Sequence, residues 1–359
     1  MMGHLISILH VILLAMTFIG LKNHVTIIPP LLIHVGRDGW ISVLMAALFL
    51  LPWLFVPSYL HKKTNQENLM ELLKQTLGKK IANTFLVVFG LILIILAAFT
   101  MREVLQWINA TFLTETPVFI LLIIYTVLCI LLACTNLQTI VIANAFTLFG
   151  VVVFGFFVAI TNLQVKDYNL LRPFFEHGYE PVLKGMIYPA SGFVEVILFL
   201  FIQHKINGEM RTIHYLVIVG ILTSLTLGPY IGAITEFGPV EAANQRYPAY
   251  EEWGLVSIGR YIEHLDFLSI YQWLTGVFIR VGFILYIVTL LFNIERKTKA
   301  IWIRIVPFFF IVCFILISLD DQTFINIKGN YVLPITFFIF FIISLFLTIL
   351  AIFSRRSAQ

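Results

Sequence analysis

The chain has 359 residues, of which 60% are hydrophobic and 12% are charged, and its mean hydropathy is +0.97. Soluble proteins average about 25% charged residues, so this composition excludes a soluble enzyme or binding domain and predicts an integral membrane protein. The net charge of +4 comes largely from lysines and arginines in predicted loops, where they suit the anionic headgroups of a lipid bilayer. No nucleic-acid partner is expected.

Ten apolar stretches are each long enough to cross about 30 Å of hydrocarbon as a helix. We therefore expect an all-α integral membrane protein with about ten transmembrane helices in a single domain, 1–359. The opening residues have neither a basic segment nor a small-residue cleavage site, so no removable signal peptide is expected. The approximate cores of the ten spans are 5–33, 41–60, 82–101, 117–134, 140–162, 182–203, 214–234, 267–293, 300–319 and 331–353.

The loops give the predicted orientation, because lysine and arginine are enriched on the cytoplasmic side of membrane proteins. With both termini inside, the inner loops and tail hold thirteen of these residues and the outer loops hold eight. The inner loop 61–80 has apolar residues at helical spacing beside lysines, which predicts an amphipathic helix on the membrane face. The largest predicted outer loop is 238–266.

Two spans, the first and the sixth, carry helix-breaking residues near their middle. The first places Gly20, a polar cluster and the pair Pro29 and Pro30 inside one apolar run. The sixth places the string PASG, residues 189–192, just before Glu195. Breaks at corresponding positions of two five-helix halves indicate an inverted-repeat transporter, in which unwound backbone lines the binding site. We expect the repeats at about 5–162 and 182–353.

Three ionisable side chains lie near the middle of apolar spans: Lys22 in the first, Glu195 in the sixth and Arg280 in the eighth. A charge at bilayer depth costs about 2.5 to 3.5 kcal/mol on insertion scales, so each needs a partner or a wet cavity. We interpret the three as one buried polar site. Their charges sum to one positive charge if all are ionised, which suits a carboxylate ligand.

Several strings along the chain resemble the B subunits of spore germinant receptors. They are GRDGWISVL, TIIPP, NLLRPFFEHGYEPVLKG, GFVEVILFL and IERKTKA, and the resemblance keeps their spacing over nearly the whole sequence. That family is similar to amino-acid, polyamine and organocation transporters, with the five-plus-five inverted repeat of the leucine-transporter fold. The resemblance implies a multi-pass subunit of the inner spore membrane that senses a small nutrient such as an amino acid. It would work with a larger A subunit and a lipoprotein C subunit.

The resemblance also implies a ligand pocket between the broken first and sixth helices. The family's break in the first helix falls on 21–25, where Lys22 and His24 stand in place of small residues. Arg280 is a second departure, since a small polar residue is less surprising at that position. The ligand-binding residues implied in this way are Lys22, Asn23, His24, Ile92, Leu96, Ser191, Gly192, Glu195, Arg280 and Ile284.

Two alternatives stay open at this site. Arg280 binds a ligand carboxylate through its planar fork, or the three charged residues pair only with one another and fill the pocket. Arg102 and Glu103 are expected at the membrane interface, at the outer end of the third span.

The function also has two alternatives. The first is a receptor subunit that passes a nutrient signal to partner subunits, and the second is an amino-acid permease, which could be coupled to protons through Glu195. The sequence has no P-loop, dinucleotide fingerprint or metalloprotease motif, and its three cysteines have no metal-ligand spacing. We therefore expect no enzymatic activity, no cofactor and no metal site.

Overall fold

The computed structural model describes residues 5–259, 263 and 265–353. Helix occupies all ten predicted apolar stretches. The segments of the first half are Ile8–Leu21, Lys22–Thr26, Ile28–Val35, Gly36–Asp38, Gly39–Leu50, Pro52–Leu54, Phe55–Lys63, Leu69–Leu77, Lys79–Thr111, Val118–Ala133, Leu137–Thr161 and Asn162–Gln164. Those that follow are Tyr168–Leu171, Tyr179–Gly185, Ile187–Phe193, Val194–Lys205, Thr212–Phe237, Pro239–Asn244, Pro248–Glu251, Glu252–Leu255, Leu265–Phe267, Leu268–Leu291, Thr298–Arg304, Val306–Ser318, Asp321–Ile327, Lys328–Val332 and Leu333–Phe353.

Eight helical stretches within the described ranges are long and apolar enough to cross a membrane, and Val118–Ala133 is a shorter apolar helix. One of the eight, Ile8–Leu50, is 43 residues long and covers the first predicted span and the first half of the second, 41–60. These two part at Gly36, whose φ of 67° ends the helix Ile28–Val35 in a conformation that glycine adopts without strain. The protein is an all-α, multi-pass integral membrane protein, which confirms the class predicted from composition.

We number the spans in the order that the sequence predicts. The spans used below are the first (8–35), the second (39–63), the third (Lys79–Thr111), the fifth (Leu137–Gln164), the sixth (Tyr179–Lys205), the seventh (Thr212–Phe237), the eighth (Leu265–Leu291) and the tenth (Asp321–Phe353).

The sixth and eighth spans form the interior of the bundle. In an apolar stretch of 18 residues from each span, 89% of the sixth and 83% of the eighth is buried, against 22% of the fifth. Lipid chains are as apolar as leucine, so close van der Waals packing holds these interior helices together. Phe18, Phe199 and Phe283 illustrate this packing, with ring centroids 5.1 to 6.4 Å apart where the first, sixth and eighth spans meet.

Two smaller elements flank the bundle. The helix Leu69–Leu77 begins at Asn68, whose side chain accepts a hydrogen bond from the Met70 amide at 3.0 Å, and it buries Leu69 and Met70. Strands Ile6–Ser7 and Ile206–Asn207 pair in parallel and join the ends of the first and sixth spans. These contacts hold the beginning of the first span against the end of the sixth.

The division of the chain into two inverted repeats stays a prediction. The predicted outer loop 238–266 contains three short helices in its described part up to residue 259, and the last of them is Glu252–Leu255. Residues 260–262 and 264 of that loop lie outside the described residues. So do residues 1–4 and 354–359, on which the predicted cytoplasmic termini fall.

Candidate functional site

The first span departs from α-helical geometry where the sequence predicts a break. The helix Ile8–Leu21 passes into a π-helical turn, Lys22–Thr26, in which the Ile27 amide donates to the Lys22 carbonyl at 3.1 Å. The α-helix resumes at Ile28, and Pro29 and Pro30 occupy its first turn, where a missing amide hydrogen costs nothing. The wide turn contributes three buried residues, Lys22, Asn23 and Val25, to the middle of the bundle.

The sixth span is interrupted at Met186, between the helices Tyr179–Gly185 and Ile187–Phe193, and its geometry changes again after Phe193. Residues 189–192 lie in the α-helix Ile187–Phe193, and a 3₁₀ helix of 12 residues, Val194–Lys205, begins immediately afterwards. Pro189 has no amide hydrogen to donate to the carbonyl of Gly185, four residues before it, so the break falls just ahead of the predicted string 189–192. Runs of 3₁₀ helix longer than three or four residues are uncommon. Glu195 is the second residue of this segment.

Lys22, Glu195 and Arg280 form one ion network, here called the central triad. Lys22 Nζ lies 2.9 Å from Glu195 Oε1, and Arg280 donates to both carboxylate oxygens, at 2.8 Å to Oε2 and 3.0 Å to Oε1. The three side chains are 2 to 4% exposed. Arg280 therefore holds the carboxylate in the bidentate arrangement that is specific to a guanidinium.

The remaining donors of the triad are directed to the backbone and to one hydroxyl. Lys22 Nζ donates to the Ser191 carbonyl at 2.8 Å, and Arg280 donates to the Phe18 carbonyl and, at 3.3 Å, to Thr100 Oγ1. The Arg280 Cζ atom also lies 4.9 Å from the centroid of the Phe18 ring. The triad thus joins the first, third, sixth and eighth spans and retains one positive charge.

The polar residues beside the triad tie the first span to the seventh. Asn23 Nδ2 donates to Thr226 Oγ1 at 3.3 Å, and His24 Nδ1 lies 2.9 Å from the Leu225 carbonyl oxygen. The Asn23 Oδ1 atom is buried and has no hydrogen-bond partner among the described residues. It lies against Gly192, where a Cβ atom would overlap it, so this crossing of the first and sixth spans requires glycine.

The other residues implied by the resemblance contribute in different ways. Ser191 offers its carbonyl to Lys22, while its hydroxyl donates to the Tyr188 carbonyl at 2.7 Å. Leu96 reaches the triad indirectly, because its carbonyl accepts a hydrogen bond from Thr100 at 3.2 Å. Ile284 lies in the hydrophobic core. Ile92 is half-buried on the third span.

A second charged group was missed by the sequence analysis, and we call it the Arg102 cluster: Arg102, Glu103, Arg246, Asp321 and Lys328. Arg102 and Glu103 are 0% and 2% exposed, so both side chains are buried inside the bundle, and their depth at the membrane interface stays a prediction. The third span continues to Thr111, about 15 Å beyond the predicted end at residue 101, and this extension places both residues inside the bundle. Lys328, predicted in a loop, is buried because the tenth span begins at Asp321.

Ion pairs connect the members of the Arg102 cluster. Glu103 Oε1 lies 2.6 Å from Lys328 Nζ, and Glu103 Oε2 accepts from Thr26 Oγ1 at 2.8 Å. Arg102 Nη2 lies 2.6 Å from Asp321 Oδ1, and Arg246 pairs with the other oxygen of Asp321. The cluster therefore links the third and tenth spans, the 238–266 loop and, through Thr26, the break in the first span.

Comparison with known proteins identifies the family to which the chain is similar. The family model described as spore germination protein matches residues 2–325. The chain is 41% identical over 341 residues to Spore germination protein XB of Bacillus anthracis, which covers 95% of this chain and 96% of that relative.

More distant relatives carry the same description. Identity is 23% over 285 residues to Spore germination protein A2 of Bacillus subtilis, covering 76% of each chain. It is 21% over 320 residues to Spore germination protein GerQB of Bacillus cereus, covering 87% of this chain and 78% of that relative. The chain therefore belongs to the spore germination protein family, the germinant-receptor B-subunit family that its sequence resembles.

Proposed function

We propose that this protein is the membrane-embedded B subunit of a spore germinant receptor, and that its nutrient binds at the central triad. The observation that carries the proposal is the position of the Glu195 carboxylate in the fork of Arg280, where the two spans of altered helical geometry meet. A free amino acid or similar nutrient presents the same two carboxylate oxygens. It would bind by replacing Glu195 on Arg280, while Lys22 keeps its own ion pair with Glu195.

The surroundings of the triad suit such an exchange. The retained positive charge favours an additional carboxylate, and the unpartnered Asn23 Oδ1 offers an acceptor to the ammonium group of an amino acid. Separation of Glu195 from Arg280 would release the sixth span from the eighth. A ligand moves this equilibrium only by the difference between its affinities for the two states, so the exchanged carboxylate must bind the opened state better.

The signalling partners and the location are part of the same proposal. We place the protein in the inner membrane of the spore with both termini in the cytoplasm, where it assembles with A and C subunits of a receptor. The proposal includes the predicted inverted five-plus-five repeat, about 5–162 and 182–353, because folds of that kind change state by rocking one bundle around a site at the repeat interface.

A solute permease is the second candidate, and one observation favours it. The π turn Lys22–Thr26 and the 3₁₀ segment Val194–Lys205 meet in the middle of the bundle, and interrupted helices of this kind line solute pathways in transporters. Coupling to protons would use Glu195, the carboxylate of the triad. Uptake of a radiolabelled ligand into proteoliposomes separates a permease, which accumulates it, from a receptor, which does not.

The test of the proposed site is thermal unfolding of the purified protein in nanodiscs with a panel of amino acids, sugars and nucleosides. A nutrient at 100 times its dissociation constant stabilises the native state by about 2.7 kcal/mol. We expect stabilisation by a carboxylate-bearing nutrient and its loss in Arg280→Lys, which keeps the charge but not the fork. Arg172→Lys, in an exposed loop, is the matched control. Stabilisation that persists in Arg280→Lys would place the nutrient elsewhere and overturn the proposal.

A further inference from the structure

The Arg102 cluster holds hydrogen-bond donors that have no acceptor. Arg102 Nη1, Arg246 Nε and Arg246 Nη2 are buried without a geometrically well-formed hydrogen bond in the described part of the chain. A buried donor left unpaired costs about 1 to 3 kcal/mol, and more when the group is charged. Most of the donors of the central triad, by contrast, meet an oxygen. The Arg102 cluster is therefore incomplete in this conformation.

The free donors of Arg246 have the geometry of a carboxylate receptor. Its Nη1 atom is used by Asp321, which leaves the Nε and Nη2 atoms along one edge of the guanidinium. Two parallel N–H groups on that edge match the two oxygens of a carboxylate. Arg102, which is fully buried, adds the free Nη1 donor.

Charge and exposure indicate how an anion could reach these donors. The cluster contains three cations, Arg102, Arg246 and Lys328, and two carboxylates, so one positive charge is unbalanced. Asp321 serves both arginines but its side chain is 54% exposed, and the Arg246 side chain is 27% exposed. Asp321 can therefore turn towards water, which opens both guanidinium groups to a second carboxylate that compensates their charge.

An aromatic group borders these donors. The Tyr247 ring centroid lies 5.2 Å from Arg246 Cζ and 4.6 Å from the Trp273 centroid. Trp273 stacks on Tyr250 at 4.3 Å and approaches Trp107 at 4.4 Å. These four rings are 2 to 7% exposed, so the apolar body of a carboxylate ligand would enter by parting their packing beside the Arg246 donors.

We propose that the Arg102 cluster is a second binding site, specific for small carboxylates and separate from the central triad. The incoming carboxylate binds the Nε and Nη2 atoms of Arg246 and the Nη1 atom of Arg102 as Asp321 turns towards water, and its apolar body packs against the aromatic group. The site lies on the side of the membrane that the sequence predicts to face outward. It does not depend on the proposed germinant site, because it uses none of the triad residues.

The test is a titration with sodium phenylacetate, which combines a carboxylate and an apolar ring, at constant ionic strength. Thermal unfolding of the full-length protein in nanodiscs reports binding, with sodium chloride as the reference salt and phenylacetamide as the uncharged analogue. We expect phenylacetate alone to raise the unfolding temperature. In Arg246→Gln the half-saturating concentration should rise at least about tenfold, and in Arg246→Lys it should also rise, because the charge remains but the fork is lost.

Two further variants locate the effect. Arg172→Gln, an exposed arginine of another loop, should behave like the wild type. Arg280→Lys should also keep the phenylacetate response if the site is separate from the triad. Equal stabilisation by phenylacetamide, an unchanged titration in Arg246→Gln, or loss of the response in Arg280→Lys would each overturn the proposal. The last result would assign phenylacetate to the triad without testing the proposed germinant itself.

Discussion

The central triad and the Arg102 cluster use the same chemistry with opposite degrees of completion. In the triad one carboxylate receives three donor contacts from two cations and is shielded from water. In the cluster a half-exposed aspartate serves two arginines, and several of their N–H groups have no acceptor among the described residues. The difference teaches that charged side chains inside a membrane protein have two possible roles. They can hold helices together, which we call a lock, or they can bind a ligand, which we call a docking point. A lock resists opening, whereas a docking point attracts a ligand.

The largest expected effect tests the lock. Glu195→Gln removes the one carboxylate between Lys22 and Arg280 and leaves two buried cations without a counter-charge. Breaking a buried ion pair costs about 3 to 5 kcal/mol, and we expect about 5 kcal/mol here because both cations are affected. Thermal unfolding in nanodiscs measures this loss of stability. Glu180→Gln, in an exposed pair with Lys184, is the control and should unfold like the wild type. A wild-type unfolding temperature in Glu195→Gln would show that the triad is no lock.

The second largest effect tests whether the buried Glu103–Lys328 pair of the Arg102 cluster also holds helices together. Glu103→Gln leaves Lys328 as one uncompensated buried cation, so we expect a loss of about 3 kcal/mol. Chemical denaturation at several temperatures gives the change in unfolding free energy. If Glu103→Gln cost as much as Glu195→Gln, the two regions would not differ in the way that we describe.

A smaller effect tests the helix crossing beside the triad. In Gly192→Ala the new methyl group would overlap Asn23 Oδ1, and overpacking of this kind costs about 1 to 3 kcal/mol. Gly220→Ala is the matched control, because nothing lies within 4 Å of its Cβ position and alanine in a helix interior is favoured by about 0.5 to 1 kcal/mol. Opposite signs of the two changes in unfolding temperature are expected, and equal signs would contradict the close approach.

The smallest expected effect on stability tests whether Asp321 competes with a ligand carboxylate for the two arginines. Asp321→Asn weakens a pair that is half-exposed, so we expect a loss of about 1 kcal/mol or less. The same change removes the internal competitor for a carboxylate, and a competitor worth about 1 kcal/mol corresponds to about fivefold in affinity. The phenylacetate titration should therefore shift to lower concentration in Asp321→Asn. A shift to higher concentration would mean that Asp321 supports the ligand instead of opposing it.

The membrane class and the three charges of the triad were predictable because each rests on a strong local signal. An ionisable residue in the middle of an apolar run must have a partner, and Lys22, Glu195 and Arg280 pair with one another. The Arg102 cluster was missed because its members lie at the ends of apolar runs or, for Arg246, in a loop, where hydropathy cannot distinguish a solvated charge from a buried one. Thr100 was missed for a related reason, since a single threonine in an apolar helix usually bonds to its own backbone.

Some of the helical irregularities were likewise predictable from the sequence, and others were not. The π turn at Lys22 agrees with the polar residues and prolines around it, which reduce the cost of leaving α geometry. The 3₁₀ segment that begins at Val194 has no such signal, because Val194 and the residues 196–202 are apolar and would suit an α-helix equally well. A third irregularity, the π turn Lys328–Val332 in the tenth span, was also not predicted. Packing between spans decides these cases, and packing is not visible in one sequence.

The 3₁₀ segment Val194–Lys205 has a mechanical consequence. A 3₁₀ helix rises about 2.0 Å per residue and an α-helix about 1.5 Å, so these 12 residues extend about 6 Å further than an α-helix of the same length. Winding the segment into an α-helix would shorten it by that amount and rotate each residue by about 20° relative to its predecessor. Glu195 at one end and Lys205, anchored at 2.5 Å to Glu295, at the other would be drawn together. The sixth span can thus change its length between two ion pairs, Glu195 with Arg280 at one end of the segment and Lys205 with Glu295 at the other.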